Sequence, residues 1–100
     1  MHKPIKENCL IRLAEPDNVL VISMSLEAGE TVVVDGHAVA LPTRLSLGHK
    51  LAARPIARGE TVIKYNFPIG VATEDIAVGA HVHVHNMRSS YTPTYTIPEA

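Results

Sequence analysis

Short aliphatic runs alternate along this chain with glycine, proline, aspartate and asparagine, and that rhythm predicts strands rather than helices. Cys9 to Leu13 reads as a first strand and Asn18 to Met24 as a second, buried one, with Asp17-Asn18 beside Pro16 supplying the turn between them. Thr31 to Val34 and His37 to Leu41 form a hairpin across Asp35-Gly36, a strong tight-turn pair, and Pro42 ends it. Gly48 to Ala53 is a short strand stopped before Pro55. Thr61 to Tyr65 is another, closed by Phe67-Pro68-Ile69-Gly70, after which Val71-Ala72-Thr73 can pair. No window of ten or more residues carries a clean helical period. The expected fold is all-β, a compact barrel-like domain of short strands over residues 1–88. From Met87 onward Ser, Thr, Tyr and spaced prolines describe an extended tail, 89–100, that is mobile or lies across another subunit.

One phrase recurs within the pattern. Leu26 to Val32, Ile56 to Val62 and Ile76 to Val82 each read aliphatic, two residues, Gly, two residues, Val. Its mechanical reading is an aliphatic anchor in the core, a glycine at a positive-φ turn position, and a strand starting just after. The unequal spacing of the three copies argues for repeated turns rather than a solenoid. In the third copy the position of Thr31 and Thr61 is taken by His81.

That third copy opens the run Ala80-His81-Val82-His83-Val84-His85-Asn86. Along an extended strand, side chains alternate between faces, so His81, His83 and His85 share one face while Val82 and Val84 take the other. Half of the chain's six histidines therefore lie on one edge. Imidazole is the commonest metal-binding side chain and titrates near neutral pH. Same-face neighbours stand roughly 6.5–7 Å apart at the backbone, so two can lean onto one ion, and three need a bend or a partner. Gly48-His49-Lys50 and Lys64-Tyr65 are the other polar groups in apolar strands. If those strands adjoin the histidine strand, His49, Lys50, Lys64 and Tyr65 are candidate catalytic groups, with Lys50 and Lys64 suited to a carboxylate substrate. Solvated lysines on a strand face are the plainer reading. Asn86 extends the edge with a donor and an acceptor, for substrate binding or as a turn former. His37, at the hairpin, and Glu74-Asp75, at a turn, read as structural.

Composition narrows the partners. One hundred residues, 46% hydrophobic, with net charge -1, make one small domain. So small a body hardly encloses a complete catalytic set, so any active site is expected to be shared with another chain or domain. There is no basic run with interleaved aromatics to bind nucleic acid. No apolar run approaches the roughly 20 residues of a membrane span. The start, Met1 to Asn8, lacks the apolar core of a signal peptide, which makes the cytoplasm the expected compartment. Cys9 is the single cysteine, which excludes an intrachain disulfide and a cysteine-built zinc cage. Phosphate loops, nucleophile elbows and His-Glu-x-x-His are absent.

Taken in order, Gly48-His49-Lys50-x-Ala52, Ile56-Ala57-x-Gly59-Glu60, Val62-Ile63-Lys64-Tyr65, Pro68-Ile69-Gly70-x-Ala72, Asp75-Ile76-Ala77-x-Gly79 and His81-Val82-His83-x-His85-Asn86 resemble the amino-terminal domain of altronate dehydratases. The small subunits of related sugar-acid hydro-lyases and of sulfolactate sulfo-lyase look similar. The likeness runs from about Asp17 to Arg88. It implies a β-clip fold of the SAF type and a cytoplasmic lyase acting on a hydroxy acid, with divalent iron or manganese as the metal; on the reading of the strand itself, His81, His83 and His85 are candidates to ligate that metal or to shuttle protons. It also implies a large catalytic subunit or portion beyond this chain. The galactarate branch lacks the three-histidine run, which tilts the resemblance toward altronate or sulfolactate. Two other readings stand beside a lyase subunit: a non-catalytic substrate-binding or assembly module, and a stand-alone enzyme built by homo-oligomerisation with sites between subunits.

Overall fold

The computed structural model describes residues 5–89, and these are strands, turns and loops without helix, so the expected all-β class holds. Ten short strands form three sheets. β1 (Ile5–Lys6) runs parallel to β4 (Thr31–Val34), which pairs antiparallel with β5 (His37–Ala40). β2 (Leu10–Ile11), β3 (Val19–Ile22), β6 (Lys50–Ala52) and β9 (His81–Val82) lie side by side in that order. β7 (Thr61–Lys64), β8 (Phe67–Ala72) and β10 (Met87–Ser89) make the third sheet, with β8 in the middle.

The recurring phrase organises the fold, and it occurs four times. The additional copy is Leu45-Ser46-Leu47-Gly48-His49-Lys50-Leu51, whose final Leu stands where the others have Val. Leu26 bridges Leu45, and Ile56 bridges Ile76. Gly29 donates to Leu41 as Gly59 donates to Ala72, each at 2.8 Å. Gly48 donates to Ile22 as Gly79 donates to Ala52, at 2.9 and 2.7 Å. The chain is therefore a near-duplicate of one unit: strand, turn phrase, hairpin, turn phrase, strand. With the Leu45 copy included the spacings are 19, 11 and 20 residues, still unequal, but they alternate long and short because the copies work in pairs. The Leu45 copy pairs with the Leu26 copy across the β4–β5 hairpin as the Ile76 copy pairs with Ile56 across β7–β8.

Each half has its own core, and the central sheet is their common wall. Leu20, Ile22 and Leu51 enter a cluster with Leu26, Val32, Val34, Leu41 and Leu45. Val19, Ala52 and Val82 enter the other, with Ile56, Val62, Ala72, Ile76 and Met87. Successive residues such as Leu51 and Ala52 go to different cores because strand side chains alternate. Buried polar groups tie the halves together. Asp17 accepts hydrogen bonds from the N–H groups of Ala14, Tyr65 and Asn66, and Asn18 donates to the Thr61 carbonyl while accepting from Ile63 N–H. Gly79 has φ +81°, and a Cβ there would stand 2.5 Å from a Val39 methyl, so only glycine lets the second half close onto the first.

Three sequence expectations change. Phe67–Gly70 does not close a strand but begins one. Tyr65 and Asn66, at φ 54° and 64°, make a two-residue turn, and a register shift at Val62/Ile63 accommodates Pro68, which has no N–H to give the ladder. Met87–Ser89 is β10 rather than the start of the tail. Met87 packs into the second core, a burial worth about 1.5–3 kcal/mol, and Gly70 leaves the room it needs, since a Cβ there would meet the Met87 Sδ at 3.0 Å. The rest of the expected tail lies outside the described residues. Finally, the histidine run is extended only over His81–Val82 and turns at 83–86, where Asn86 N–H donates to the His83 carbonyl at 3.0 Å.

Candidate functional site

The turn gathers the histidines more tightly than a straight strand would. His81 and His83 rings stack with centroids 5.4 Å apart and planes 10° from parallel, and the His85 ring lies 5.5 Å from His81. His49 arrives from the Leu45 phrase, at the entry to β6. Its ring is 5.0 Å from His81 and 5.2 Å from His83, and its Nδ1 stands 3.0 Å from His81 Nε2. One ring nitrogen from each of His49, His81 and His83 can be chosen so that all lie within 4.8 Å of one another. This group differs in membership from the one written in the sequence: His49 joins, and His85 flanks. The signal for it is the Leu45 phrase, which puts a histidine beside β6 next to the strand that carries His81.

Position in the phrase explains the residue types. In the first and third copies Glu30 and Glu60 turn back to accept the N–H of Glu27 and Ala57, at 2.7 and 2.9 Å, so the turn caps itself. In the other two copies that acid is replaced by His49 and Ala80. At His49 the side chain in that position reaches the cluster, whereas in the Ile76 copy the cluster residue is His81, one position on.

The electrostatics suit neutral imidazoles. Burial, reinforced by His49, His83, His85 and Lys50, lowers the His81 pKa to about 4. His83 is lowered too, by burial first and then by Lys50, His49 and His85. At neutral pH both rings keep a lone pair for a ligand. Lys50 is itself pushed below the usual lysine range, by burial and then by Lys64, so the two ammonium groups are within electrostatic reach. The structure thus brings His49, Lys50, His81, His83 and His85 into one neighbourhood, with Lys64 within electrostatic reach of Lys50. Tyr65 it places at the exposed tip of the β7–β8 hairpin, held by Asp17. Asn86 is buried, and its amide is engaged by backbone, accepting from His83 N–H at 3.0 Å and donating to the His81 carbonyl at 2.9 Å. His37 faces its own turn, 3.0 Å from the Asp35 carbonyl.

The donor types suit a metal ion, and ring rotation has only to draw three nitrogens now within 4.8 Å of one another to the at most about 4.2 Å that two bonds of about 2.1 Å span. Two nitrogens bound to one ion at about 2.1 Å stand about 3.0 Å apart when their bonds meet at right angles, and that is the His49–His81 spacing. Three protein ligands leave positions for water or substrate. A groove of about 470 Å³ runs from His81, His85 and Asn86 between the β5 end (Val39 to Pro42) and the Glu74 to Gly79 loop, giving access from one side.

The domain is small and all-β, and it carries an imidazole cluster at a sheet edge from which His81 also lines a groove. Residues 8–90 match the altronate/galactarate dehydratase SAF domain, and the chain belongs to that family. It is 34% identical over 93 residues to altronate dehydratase of Bacillus subtilis, covering 85% of this chain and 19% of that protein. With altronate dehydratase of Escherichia coli the identity is 46% over 80 residues, 80% of this chain and 16% of the relative. With the alpha subunit of (2R)-sulfolactate sulfo-lyase from Chromohalobacter salexigens it is 51% over 45 residues, 45% of this chain and 48% of the subunit. The chain thus spans less than a fifth of the dehydratases it matches and about half of that subunit. No helix among the described residues is long and apolar enough to cross a membrane.

Proposed function

We propose that this domain is the small subunit or accessory domain of a cytoplasmic hydro-lyase that dehydrates an altronate-like sugar acid by β-elimination, in concert with a larger catalytic portion. The observation that carries the reading is the cluster of three imidazoles beside Lys50, with Lys64 within electrostatic reach of that lysine, which answers the needs of the reaction. Elimination from a 2,3-dihydroxy acid removes the proton next to the carboxylate and expels the 3-hydroxyl as water, and the resulting enol rearranges to a 2-oxo acid. The carboxylate needs positive charge, the developing enediolate needs stabilisation, and protons must be moved. Lys50 and Lys64 supply charge for the carboxylate. His49, His81 and His83 would hold a divalent ion, which when bound acts as a Lewis acid toward the substrate oxygens. Of iron and manganese, all-imidazole donors favour iron, since manganese prefers carboxylate oxygen. His85, on the groove side, is placed to relay a proton, and the principal base is assigned to the larger portion.

The test reconstitutes the chain with the catalytic portion of an altronate dehydratase and follows 2-oxo acid formation from altronate. Wild type should restore turnover and His83→Ala should remove most of it. Turnover and bound metal both unchanged in His83→Ala would defeat the proposal and leave a substrate-binding or assembly module.

The likeness to sulfo-lyase alpha subunits favours a second reading, in which the same elimination expels sulfite from sulfolactate. Supplying each acid to the reconstituted pair and assaying sulfite separates them.

A further inference from the structure

Asn86 occupies an unusual place in this site. β9 is the edge of its sheet and ends at Val82, so among the described residues no strand neighbours the backbone of His83 there. Its N–H and the His81 carbonyl are instead met by the two ends of one side-chain amide, at 3.0 and 2.9 Å. A primary amide offers one acceptor and two donors, so Asn86 presents to residues 81–83 what the peptide of an adjacent strand would present. The amide is fixed in turn: Asn86 is 4% exposed, its N–H donates to the His83 carbonyl, and its own carbonyl accepts from Thr73 N–H at 2.9 Å.

We infer that Asn86 is a positioning residue for the histidine centre, its amide standing in for a neighbouring strand so that the turn starts no earlier than His83 and His81 and His83 project their rings to the same side. With the backbone extended over His81–Val82 and the turn starting only at His83, the two residues in alternate positions keep a common face, and their ring planes lie 10° apart. Without the amide the segment is free to continue the 83–86 turn one residue earlier, and His83 leaves His81 and His49. The inference rests on the reading of these histidines as metal ligands for its consequence, though not for its geometry. Ligand-orienting partners of this kind typically contribute 10–100-fold in metal affinity.

The test uses the full chain and two readouts. In the metal-free protein, nuclear Overhauser contacts between the His81 and His83 rings should be present in wild type and lost in Asn86→Ala. In cobalt(II) titrations followed by visible absorption, wild type should bind one equivalent and Asn86→Ala should bind about 10–100-fold more weakly, while His37→Ala binds as wild type does. If Asn86→Ala fails to give a cooperative melt, Asn86→Ser is read in the same assays. Ring contacts retained, with cobalt affinity within threefold of wild type in a folded variant, overturn the inference. So does failure of both variants to fold, which would make Asn86 a determinant of the whole domain. A wild type that shows the ring contacts but binds no cobalt refutes the metal reading alone, and the ring contacts still decide the role of Asn86.

Discussion

Replacing Asp17 by Asn changes one atom type at a buried junction, and its effect can be worked from the contacts. One carboxylate oxygen accepts from Tyr65 N–H at 2.7 Å and Ala14 N–H at 3.1 Å, and the other accepts from Asn66 N–H at 2.8 Å. An amide keeps only one acceptor oxygen and turns an NH₂ group toward at least one of these donors. Hydrogen bonds to a charged group contribute about 1.5–3 kcal/mol each, so one lost bond and two weakened ones amount to about 2–4 kcal/mol. For a domain of this size each kcal/mol moves the melting temperature by about 4–8 °C, so Asp17→Asn should melt roughly 10–30 °C below wild type at pH 7. The pH dependence has a definite sign. Burial alone would raise the Asp17 pKa, but the N–H groups of Asn66, Tyr65 and Ala14, together with Arg12, outweigh it and hold the carboxyl below its ordinary value. A carboxyl depressed in the folded state contributes its stability above the unfolded pKa, about 3.9, and loses it as the pH falls through the folded value. The gap between wild type and variant should therefore stay constant from pH 7 to pH 5 and narrow below about pH 4. Thermal melts by circular dichroism at pH 7, 5 and 3 read this directly. A gap under about 3 °C at pH 7, or one that fails to narrow in acid, refutes the reasoning.

Other outcomes follow from the same contacts. His83→Ala should abolish stoichiometric cobalt binding, whereas His85→Ala should change the affinity less than about fivefold, because nitrogens of His49, His81 and His83 already lie within 4.8 Å of one another; equal losses would move His85 into the ligand set. In the metal-free chain the His81 ring should titrate near pH 4 by nuclear magnetic resonance, and Lys50→Met should move that midpoint upward, since one of the cations that lowers it is gone; an unchanged midpoint would place Lys50 out of reach. Gly79→Ala should cost about 3 kcal/mol or more, from the positive φ and the Val39 clash, against about 1–2 kcal/mol for Gly59→Ala, where only the backbone conformation is at stake. Equal losses in urea unfolding would mean that Val39 yields without cost.

What is legible in the chain depends on how local its cause is. The β4–β5 hairpin follows from Asp35-Gly36, because two adjacent residues suited to positive φ define such a turn by themselves. The β7–β8 turn is hidden because Tyr65 and Asn66 take the same conformation only with Asp17, 48 and 49 positions away, accepting their N–H groups. The Leu45 phrase escapes a reading that demands Val at its end, although Leu51 fills that slot in the first core as well as any branched residue would. The gathering of His81 and His83 is readable from alternation. The arrival of His49 is not, since it depends on β6 lying next to β9. Asn86 looks equally like a ligand contact or a turn former until its neighbours are seen, and the deciding fact is that β9 is an edge strand.

The duplication separates two duties that one loop could not perform together. Where an acid folds back on its own loop, as at Glu30 and Glu60, its side chain is spent on shaping that loop. Where the acid has given way to His49 and Ala80, that demand is lifted, and the imidazole of His49 is turned toward His81 instead. Substitutions that alter what this edge recognises can therefore accumulate in one pair of loops, while the other pair carries the burden of shape.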